Sequence, residues 1–433
     1  MKRKIRVAGV LAIAAGTALL ATACSGSGGN TTSSSASKVT MTFWTNATTG
    51  PGQAFWTSTI ADFEKANPNV TIKMQTIQNE DLDGKLQTSL NSGSAPDIFL
   101  QRGGGKMAAM VNAGQLLDLT DSIDATTKSA VSDGTFKGES FQGKVYAMPV
   151  DVQPEGIYYS QTLFKAAGID SPPTSMDELN ADIAKLTSTG VAPVAVGAKD
   201  AWPAAHWYYN FALRECSEST LNKAASTLKF DDKCWTRAGN DLKAFNATNP
   251  FNQGFLTTSA QQGAGSSAGL IANHKAAMEL MGAWDPGVIA SLTPDQKPLP
   301  DLAWFPFPSI SGGAGDSASM MGGVDGYSCS AKAPKQACAA FLNYTATKSV
   351  QEAYSKAFNT IPVNKNAQGG ISGAYIKPVL EAYNKAPFVS QYLDTLYGQN
   401  VGNALNTGVV NMLAGQGSVA GIVDAANQAA AKG

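Results

Sequence analysis

The stretch from Lys144 to Asp170 constrains the fold more than any other part of this sequence. A short apolar run over residues 145–148 ends at Pro149, and a second apolar, aromatic run follows at residues 157–159. No two-residue Gly or Asn turn lies between the runs, so the pattern does not favour a β-hairpin. It indicates instead a strand that crosses from one lobe of the protein to another. The polar side chains of the crossing would then lie where the lobes meet: Asp151, Gln153 and Glu155.

Strands and helices alternate on both sides of the crossing. Residues 39–44 alternate as a strand, residues 55–66 carry apolar side chains at helical spacing, and residues 70–74 and 95–100 indicate two more strands. Between those two strands, Leu82, Leu86 and Leu90 lie on one face of a second predicted helix. This β-α-β-α-β order predicts a parallel sheet with helices on both faces, and therefore an α/β fold. The same order resumes after the crossing, with predicted elements at 174–186 (helix), 191–196 (strand) and 199–214 (helix).

The length of the chain predicts more than one domain. A single hydrophobic core rarely grows beyond about 250–300 residues, and about 410 residues follow the predicted leader. We expect residues 302–307 and 322–330 to lead the chain back into the first lobe. The predicted division is signal peptide 1–23, lipid anchor and flexible linker 24–37, lobe 1 38–150 with 302–345, and lobe 2 151–301 with 346–433.

The amino terminus has the pattern of a secretory signal peptide. Basic residues precede an apolar run at 7–21, which is short for a membrane span, and small residues follow it. Cys24 comes after Leu20-Ala21-Thr22-Ala23, which resembles the lipobox of bacterial lipoproteins, although the Leu lies four residues before the Cys instead of three. The resemblance implies lipidation of Cys24; cleavage after Ala23 with an unmodified Cys24 stays the alternative. The Ser- and Gly-rich residues 25–37 are typical of a flexible tether.

Removal of the leader makes the protein more acidic. The leader holds four positive and no negative residues, so its loss moves the formal net charge from −1 to −5. A mildly acidic protein with 15% charged residues offers no basic face suited to nucleic acid.

Residues 143–179 are similar to the interdomain crossover of the extracellular solute-binding proteins of ABC sugar importers. The shared pattern contains, in order, Gly143-Lys144, Tyr146, Pro149, Tyr158-Tyr159, Leu163-Phe164, Ala167-Gly168-Ile169, Pro172-Pro173 and Asp177-Glu178-Leu179. Other matching segments extend from about Met41 to Ala414. The resemblance implies a two-lobe periplasmic-binding-protein fold with hinge crossovers between the lobes. It also implies a lipid-anchored protein at the extracytoplasmic face of the cell membrane.

The same resemblance implies a function. Proteins of this family capture a sugar between their lobes, close by hinge motion and present the sugar to an ABC permease. We expect a disaccharide or short oligosaccharide of the xylobiose or cello-oligosaccharide type, bound by a monomer without a cofactor, a metal or a nucleic-acid partner. A secreted glycoside hydrolase and a binder of a non-sugar solute on the same fold stay as alternatives.

Tryptophans at strand ends and loop tips are the candidate sugar-binding surfaces, because sugar rings present C–H patches to aromatic faces. Trp284 follows residues 277–282, which resemble the family motif A-A-M-x-x-x-G-x-W, whose Trp often stacks on the sugar. Trp202 lies in a loop position where the family also places ligand-binding aromatics. Core packing is the alternative for each of the candidates, which are Trp44, Trp202, Trp207 and Trp284.

Polar candidates come from the rule that ligands bind beyond the carboxyl ends of parallel strands. The loop 101–106 follows a strand but lacks the G-x-x-x-x-G-K-[ST] spacing of a phosphate-binding loop, so nucleotide binding is rejected. The family resemblance places this loop at the sugar, and it places residues 322–327 on a return strand near the ligand. His206 follows Trp202 by four residues, so it either faces the cleft or has a structural role. The predicted ligand-binding residues are Trp44, Asn46, Gln78, Gln101, Arg102, Asp151, Gln153, Trp202, His206, Trp284, Asp325 and Tyr327.

Four cysteines remain if Cys24 is acylated, an even number in an oxidising compartment. Proximity in sequence suggests the disulfides Cys216–Cys234 and Cys329–Cys338, one of three connectivities. Zinc is the rival interpretation, and it is disfavoured because neither histidine lies near a Cys-x-x-Cys motif.

Carboxylates such as Glu215, Asp285 and Asp325 could in principle serve a glycoside hydrolase, which needs two of them flanking a bond. No recognisable motif pairs them, and H-E-x-x-H does not occur. The sequence therefore favours a binding protein over an enzyme.

Overall fold

A computed structural model of the chain describes residues 37–370 and 374–432. The predicted signal peptide, Cys24 and all but the last residue of the predicted linker lie outside the described residues. No helix within the described residues is long and apolar enough to cross a membrane.

The larger sheet in the described part of the chain has six strands. In spatial order they are β13 (Ile361–Pro362), β6 (Ala147–Val152), β12 (Val324–Cys329), β3 (Ile98–Gln101), β1 (Val39–Thr45) and β2 (Val70–Thr76). Strand β1 pairs in parallel with both β2 and β3, which confirms the predicted β-α-β-α-β unit. Strand β12 runs antiparallel between β3 and β6, and β13 runs antiparallel at the edge.

The smaller sheet among the described residues has four strands. In spatial order they are β10 (Leu302–Phe305), β7 (Glu155–Ser160), β9 (Ala276–Gly282) and β8 (Ala192–Val194). Strands β8 and β9 are parallel, whereas β7 is antiparallel to both of its neighbours. Two further pairs are β4 (Ser140–Phe141) with β5 (Lys144–Val145), and β11 (Met320–Met321) with β14 (Val389–Ser390).

Helices cover both sheets, as an α/β fold requires. Within the described ranges they are α1 (Gly50–Ala66), α2 (Asn79–Asn91), α3 (Gly104–Asn112), α4 (Ala125–Ala130), α5 (Asp133–Gly138), α6 (Gln161–Ala166), α7 (Met176–Ser188), α8 (Trp202–Glu215), α9 (Glu218–Thr227), α10 (Lys233–Asn246), α11 (Ser267–Ala272), α12 (Asp285–Leu292), α13 (Lys335–Thr345), α14 (Lys348–Phe358), α15 (Ile376–Lys385), α16 (Leu393–Leu396), α17 (Gln399–Leu413) and α18 (Val419–Ala431).

The predicted crossing is confirmed. Strand β6 belongs to the larger sheet and β7 to the smaller one, and only Gln153 and Pro154 separate them. The crossing is fixed on both sides by hydrogen bonds: Gln153 N donates to Gly323 O at 2.9 Å, and Tyr392 Oη donates to Gln153 O at 2.8 Å.

The second crossing occurs later than the sequence predicts. Residues Leu302–Phe305 were expected to return the chain to the first lobe, but they pair with β7 in the smaller sheet. Phe305 also packs against Tyr159 there, with ring centroids 5.5 Å apart. The chain reaches the larger sheet only at Val324, and Ile361–Pro362 adds a strand to that sheet from the predicted second lobe. The lobe boundaries themselves stay a prediction.

Helix α8 forms the centre of the core that packs beside the smaller sheet. Every residue from Pro203 to Glu215 is buried, and Trp207 is 1% exposed and stacks on Phe245 at 4.7 Å. Trp207 is therefore a core residue and not a binding surface.

Both suggested disulfides are present. Cys216–Cys234 joins the end of α8 to α10, with 5.1 Å between the Cα atoms, and Cys329–Cys338 joins β12 to α13 at 6.3 Å. Each disulfide therefore links two elements of one lobe's core.

Candidate functional site

A charged network lies beyond the carboxyl ends of β1 and β3. Arg102 donates from Nη1 to Asp83 Oδ1 at 2.7 Å and from Nη2 to Asn79 Oδ1 at 2.6 Å. Lys106 Nζ donates to Asp83 Oδ2 at 2.7 Å, and Asn46 Nδ2 donates to Asn79 Oδ1 at 3.3 Å. Burial would raise the pKa of Asp83, but Arg102 and Lys106 outweigh it and lower that pKa to about 2. The ionised Asp83 thus holds Arg102 in one orientation.

Asp83 and Asn79 were not predicted. They are four residues apart on α2, so they lie on the same face of that helix. Their spacing on one face of α2 identifies them as site residues only when the loop after β3 is known to lie opposite that face.

Other predicted residues beside the larger sheet are more enclosed. Tyr327 is 2% exposed, shares a hydrogen bond of 2.9 Å with Thr45 Oγ1 and packs 4.9 Å from Phe43, so it is a packing residue. Gln101 is buried, with its amide nitrogen 3.5 Å from a sulfur atom and its Oε1 accepting from the Arg102 backbone. The Trp44 ring has Lys85 Nζ 5.2 Å from its centroid. Gln78 is exposed at the start of α2.

The three glycines after Arg102 serve packing. A Cβ on Gly104 would lie 2.4 Å from Gln391 Oε1, and a Cβ on Gly105 would lie 2.7 Å from Gly398 N. Gln391 Nε2 donates to the carbonyl oxygen of Arg102. The glycines therefore let residues 391–398 approach the loop closely, which accounts for a motif that superficially resembles a phosphate cradle.

Carboxylates gather at the crossing. Asp151 Oδ2 accepts from Gln153 Nε2 at 2.6 Å and from Tyr354 Oη at 3.0 Å. Asp325 is the register partner of Asp151 across β6 and β12, at a β-bulge. Glu139, which the sequence did not reveal, is 0% exposed.

Burial and mutual repulsion keep these carboxylates weakly acidic. Burial raises the pKa of Asp151, and the charge of Asp325 raises it further. Burial also raises the pKa of Glu139, with added contributions from Asp325 and Asp151. For Asp325, burial raises the pKa and Arg102 offsets part of the increase.

An aromatic group lies on the side of the crossing that belongs to the smaller sheet. His206 stacks on Tyr392 at 4.7 Å with an interplanar angle of 10°, and Trp202 lies 5.0 Å from His206. Trp284 lies 6.1 Å from Trp202 and 5.7 Å from Tyr392. The structure therefore brings together three predicted residues, Trp202, His206 and Trp284, around one that was missed, Tyr392. We call these four residues the aromatic wall.

The close packing around Gly282 explains why the motif has a glycine two residues before Trp284. A Cβ on Gly282 would lie 2.0 Å from the Trp284 ring and 2.5 Å from Tyr392 Oη. Only a residue without a side chain lets the indole lie over the end of β9.

Glu155 fixes the ring of His206. Its Oε1 lies 2.5 Å from His206 Nδ1, and its Oε2 accepts from Asn210 Nδ2 at 2.6 Å. Burial lowers the pKa of His206, but the Glu155 carboxylate outweighs burial and raises it above its ordinary value. Because Nδ1 is engaged, Nε2 is the ring nitrogen left for a ligand.

The charged network and the aromatic wall meet at two neighbouring residues. Gln391 contacts the carbonyl oxygen of Arg102, and Tyr392 contacts both His206 and the carbonyl oxygen of Gln153. Apolar ring faces beside a few fixed polar groups are what a site for a small polar solute requires.

Two α/β lobes joined by crossing strands, with such side chains gathered at the crossing, define a two-lobe solute-binding protein. The chain belongs to the family of bacterial extracellular solute-binding proteins, whose profile matches residues 46–352.

The similarities to individual proteins agree with this family assignment. The chain is 27% identical over 326 residues to an uncharacterized ABC transporter extracellular-binding protein of Pyrococcus horikoshii, covering 70% of this chain and 67% of that one. It is 25% identical over 273 residues to a multiple sugar-binding protein of Streptococcus mutans, covering 60% and 61%. A solved structure described for xylan utilization by Caldanaerobius polysaccharolyticus superimposes with a TM-score of 0.82 at 26% identity, covering 91% of this chain and 99% of that one.

Other relatives match over a smaller share of their length. The chain spans 42% of the length of three putative binding proteins of Brucella, at 28% identity. The family and the fold follow from these similarities.

Proposed function

We propose that this protein is the substrate-binding lipoprotein of an ABC importer and captures a disaccharide or short oligosaccharide between its lobes. The observation that carries the proposal is the aromatic wall of Trp202, His206, Tyr392 and Trp284 beside hydrogen-bonding side chains at the lobe crossing. Sugar rings bind aromatic faces through their C–H patches, while their hydroxyls bind polar groups such as Arg102 and His206.

Ligand binding is coupled to closure of the lobes. A ligand favours the closed state only if it contacts both lobes, so that its affinity differs between the open and closed states. The two sides of the site supply those contacts, because Arg102 follows a strand of the larger sheet and Trp284 follows a strand of the smaller one. The closed, loaded protein then docks on the permease subunits.

The preferred sugar units are β-linked xylose or glucose, as in xylobiose and cello-oligosaccharides. The structural relative described for xylan utilization supports this choice. A thermal-shift panel of xylobiose, xylotriose, cellobiose, cellotriose and maltose tests it on residues 38–433. A ligand at 100 times its dissociation constant adds about 2.7 kcal/mol to the free energy of unfolding. Stabilisation by the β-linked sugars and not by maltose supports the proposal, and no stabilisation by any sugar contradicts it.

The same experiment separates binding from hydrolysis. A binding protein leaves its oligosaccharide intact, so chromatography after incubation should recover the added sugar unchanged. Release of monosaccharide would favour a glycoside hydrolase instead.

The lipid anchor is proposed at Cys24, and it would hold the protein on the extracytoplasmic face of the membrane. Several acyl chains together bind a membrane firmly, whereas one binds it marginally. Cys24→Ala should therefore move the protein from the membrane fraction to the soluble fraction, and Ser25→Ala, its neighbour, should not. Membrane association of the Cys24→Ala protein would contradict the anchor.

A further inference from the structure

Ala201, which precedes Trp202 at the start of α8, has a backbone conformation that alanine rarely adopts. Its φ is 63° and its ψ is −50°. Leu228 and Asn359 also have a positive φ, but their ψ values of 36° and 38° lie in the ordinary left-handed region. The values of Ala201 lie instead near those of the γ-turn with a positive φ, which is rare and strained. The backbone is therefore strained directly before a residue of the aromatic wall.

Contacts with a neighbouring loop hold Ala201 in this conformation. Asp200 Oδ2 accepts a hydrogen bond from Ala260 N at 2.7 Å, and Asp200 N donates to Gly197 O at 3.2 Å. Ala201 N donates to Ala198 O at 3.1 Å. Gly197 lets the two segments approach closely, because a Cβ there would lie 2.5 Å from Ala260 Cα. Backbone strain persists only where the surrounding structure fixes it, and these contacts do so.

The orientation of Trp202 depends on its backbone. No described residue accepts a hydrogen bond from Trp202 Nε1, so no hydrogen bond of its side chain fixes the ring. Pro203 follows it in the first turn of α8, and the proline ring restricts the backbone of the residue before it. The Trp202 ring lies 5.0 Å from His206 and 6.1 Å from Trp284. Ala201 and Pro203 thus fix the chain on both sides of a ring that packing alone holds in the aromatic wall.

We propose that Ala201 is a positioning residue: its strained backbone, anchored by Asp200, fixes Trp202 in the orientation that the sugar requires before the sugar binds. This inference rests on the proposed sugar-binding function and adds a residue that acts through Trp202. The strain lowers the stability of the empty protein. It also removes backbone freedom that Trp202 would otherwise lose on binding, and a larger population of the competent state strengthens the apparent affinity for the sugar.

Ala201→Gly tests the proposal, because glycine adopts this conformation without strain and is also free to leave it. We expect it to raise the melting temperature of the empty protein by about 2–4 °C. We also expect it to weaken sugar binding by about three- to tenfold, since the competent orientation of Trp202 is then populated less. Loss of a merely structural contact would not raise stability while lowering affinity. Thermal melts measure the first effect, and isothermal titration calorimetry with xylobiose, xylotriose, cellobiose, cellotriose and maltose measures the second.

Three further variants control the experiment. Ala201→Ser keeps Cβ, and therefore the strain, so its affinity should stay near that of the wild type. Gln296→Gly places glycine at another positive φ, 55°, on an exposed residue outside the aromatic wall, and it should leave affinity unchanged. In a Trp202→Ala background, Ala201→Gly should cause no further loss of affinity, because Ala201 acts through the side chain that is missing there.

The outcomes separate this inference from the function on which it rests. If the wild type binds a sugar and Ala201→Gly binds it equally well, the positioning role is overturned and the proposed function stands. The same holds if Ala201→Gly weakens binding as much in the Trp202→Ala background as in the wild type. A lower melting temperature of Ala201→Gly overturns the strain on which the role depends. Failure of the wild type to bind any of the five sugars overturns both the inference and the proposed function.

Discussion

Glu155 and His206 form a buried ion pair that joins β7 to α8, with 2.5 Å between Oε1 and Nδ1. Glu155 is the first residue after the crossing, and His206 stacks on Tyr392. The orientation of one ring of the aromatic wall therefore depends on a carboxylate at the hinge.

The first prediction concerns the charge of His206. Its folded-state pKa is raised, so the ion pair contributes stability that is fully present below the unfolded pKa, about 6.5, and is lost as pH rises through the folded pKa. Glu155→Gln should lower the pKa of His206 and remove this contribution. Nitrogen-15 NMR can follow the titration directly, because the chain has two histidines and His274 serves as the internal control. An unchanged His206 titration would mean that Glu155 does not set its charge.

The second prediction concerns Trp284. Removal of a stacking face by Trp284→Ala should weaken sugar binding by about 1–3 kcal/mol, by analogy with stacked bases, or roughly 5- to 150-fold. Trp207→Ala is the matched control: it should cost about 3–5 kcal/mol of stability with near-normal affinity, because Trp207 is in the core. Calorimetry for affinity and a thermal melt for stability distinguish the two. A large loss of melting temperature with unchanged affinity in Trp284→Ala would assign Trp284 to the core as well.

The third prediction concerns a contact between the lobes. Gln262 Nε2, in the loop before α11, donates to Glu80 Oε2 on α2 at 3.0 Å. We expect this hydrogen bond to form on closure, so Gln262→Ala should speed ligand dissociation by about two- to tenfold and leave the melting temperature of the unliganded protein unchanged. Stopped-flow fluorescence measures the rate, with the exposed Gln253→Ala as control. Equal dissociation rates in the wild type and Gln262→Ala would show that the contact does not retain the ligand.

The fourth prediction concerns the carboxylate that follows Trp284. Asp285 is 0% exposed, and burial raises its pKa to about 8 from the ordinary value of 3.8. Between those values the folded protein binds one more proton than the unfolded protein, so stability should fall as pH rises, by up to about 1.4 kcal/mol per pH unit. Asp285→Asn should flatten this decline in denaturant titrations from pH about 5 to 8. A decline as steep as that of the wild type would assign it to other groups, such as Glu279, whose pKa is also raised by burial and by Asp285.

Local patterns predicted the elements well and the lobe assignment less well. The alternation of residues 39–44 and the helical spacing of 55–66 predicted β1 and α1, because one face of each element is buried. Residues 302–305 pair with β7, although the sequence predicted that 302–307 lead the chain back to the first lobe, since nothing local distinguishes a strand that pairs with β7 from one that pairs with β3.

The candidate site was predicted where a motif ties a residue to a strand end. Trp284 and Trp202 came from such motifs, and they lie together in the structure. Tyr392 could not be found in this way, because it reaches the crossing from a segment near the carboxyl end of the chain, 239 residues from Gln153. Long-range contacts of this kind leave no periodic signal in the sequence.

The brevity of the first crossing limits how the lobes can move. Gln153 and Pro154 alone separate β6 from β7, and three fully extended peptide steps span at most about 11 Å. The two sheets therefore cannot slide apart at this point, and they can only rotate about it. Displacement in a rotation grows with distance from the axis, so Asp151 and Glu155, which flank the pivot, should keep nearly the same separation whether the protein is empty or loaded. A solute would then find these two carboxylates already in place at the crossing. The side chains farther from the axis, which move most, would be the ones that respond to binding of the solute.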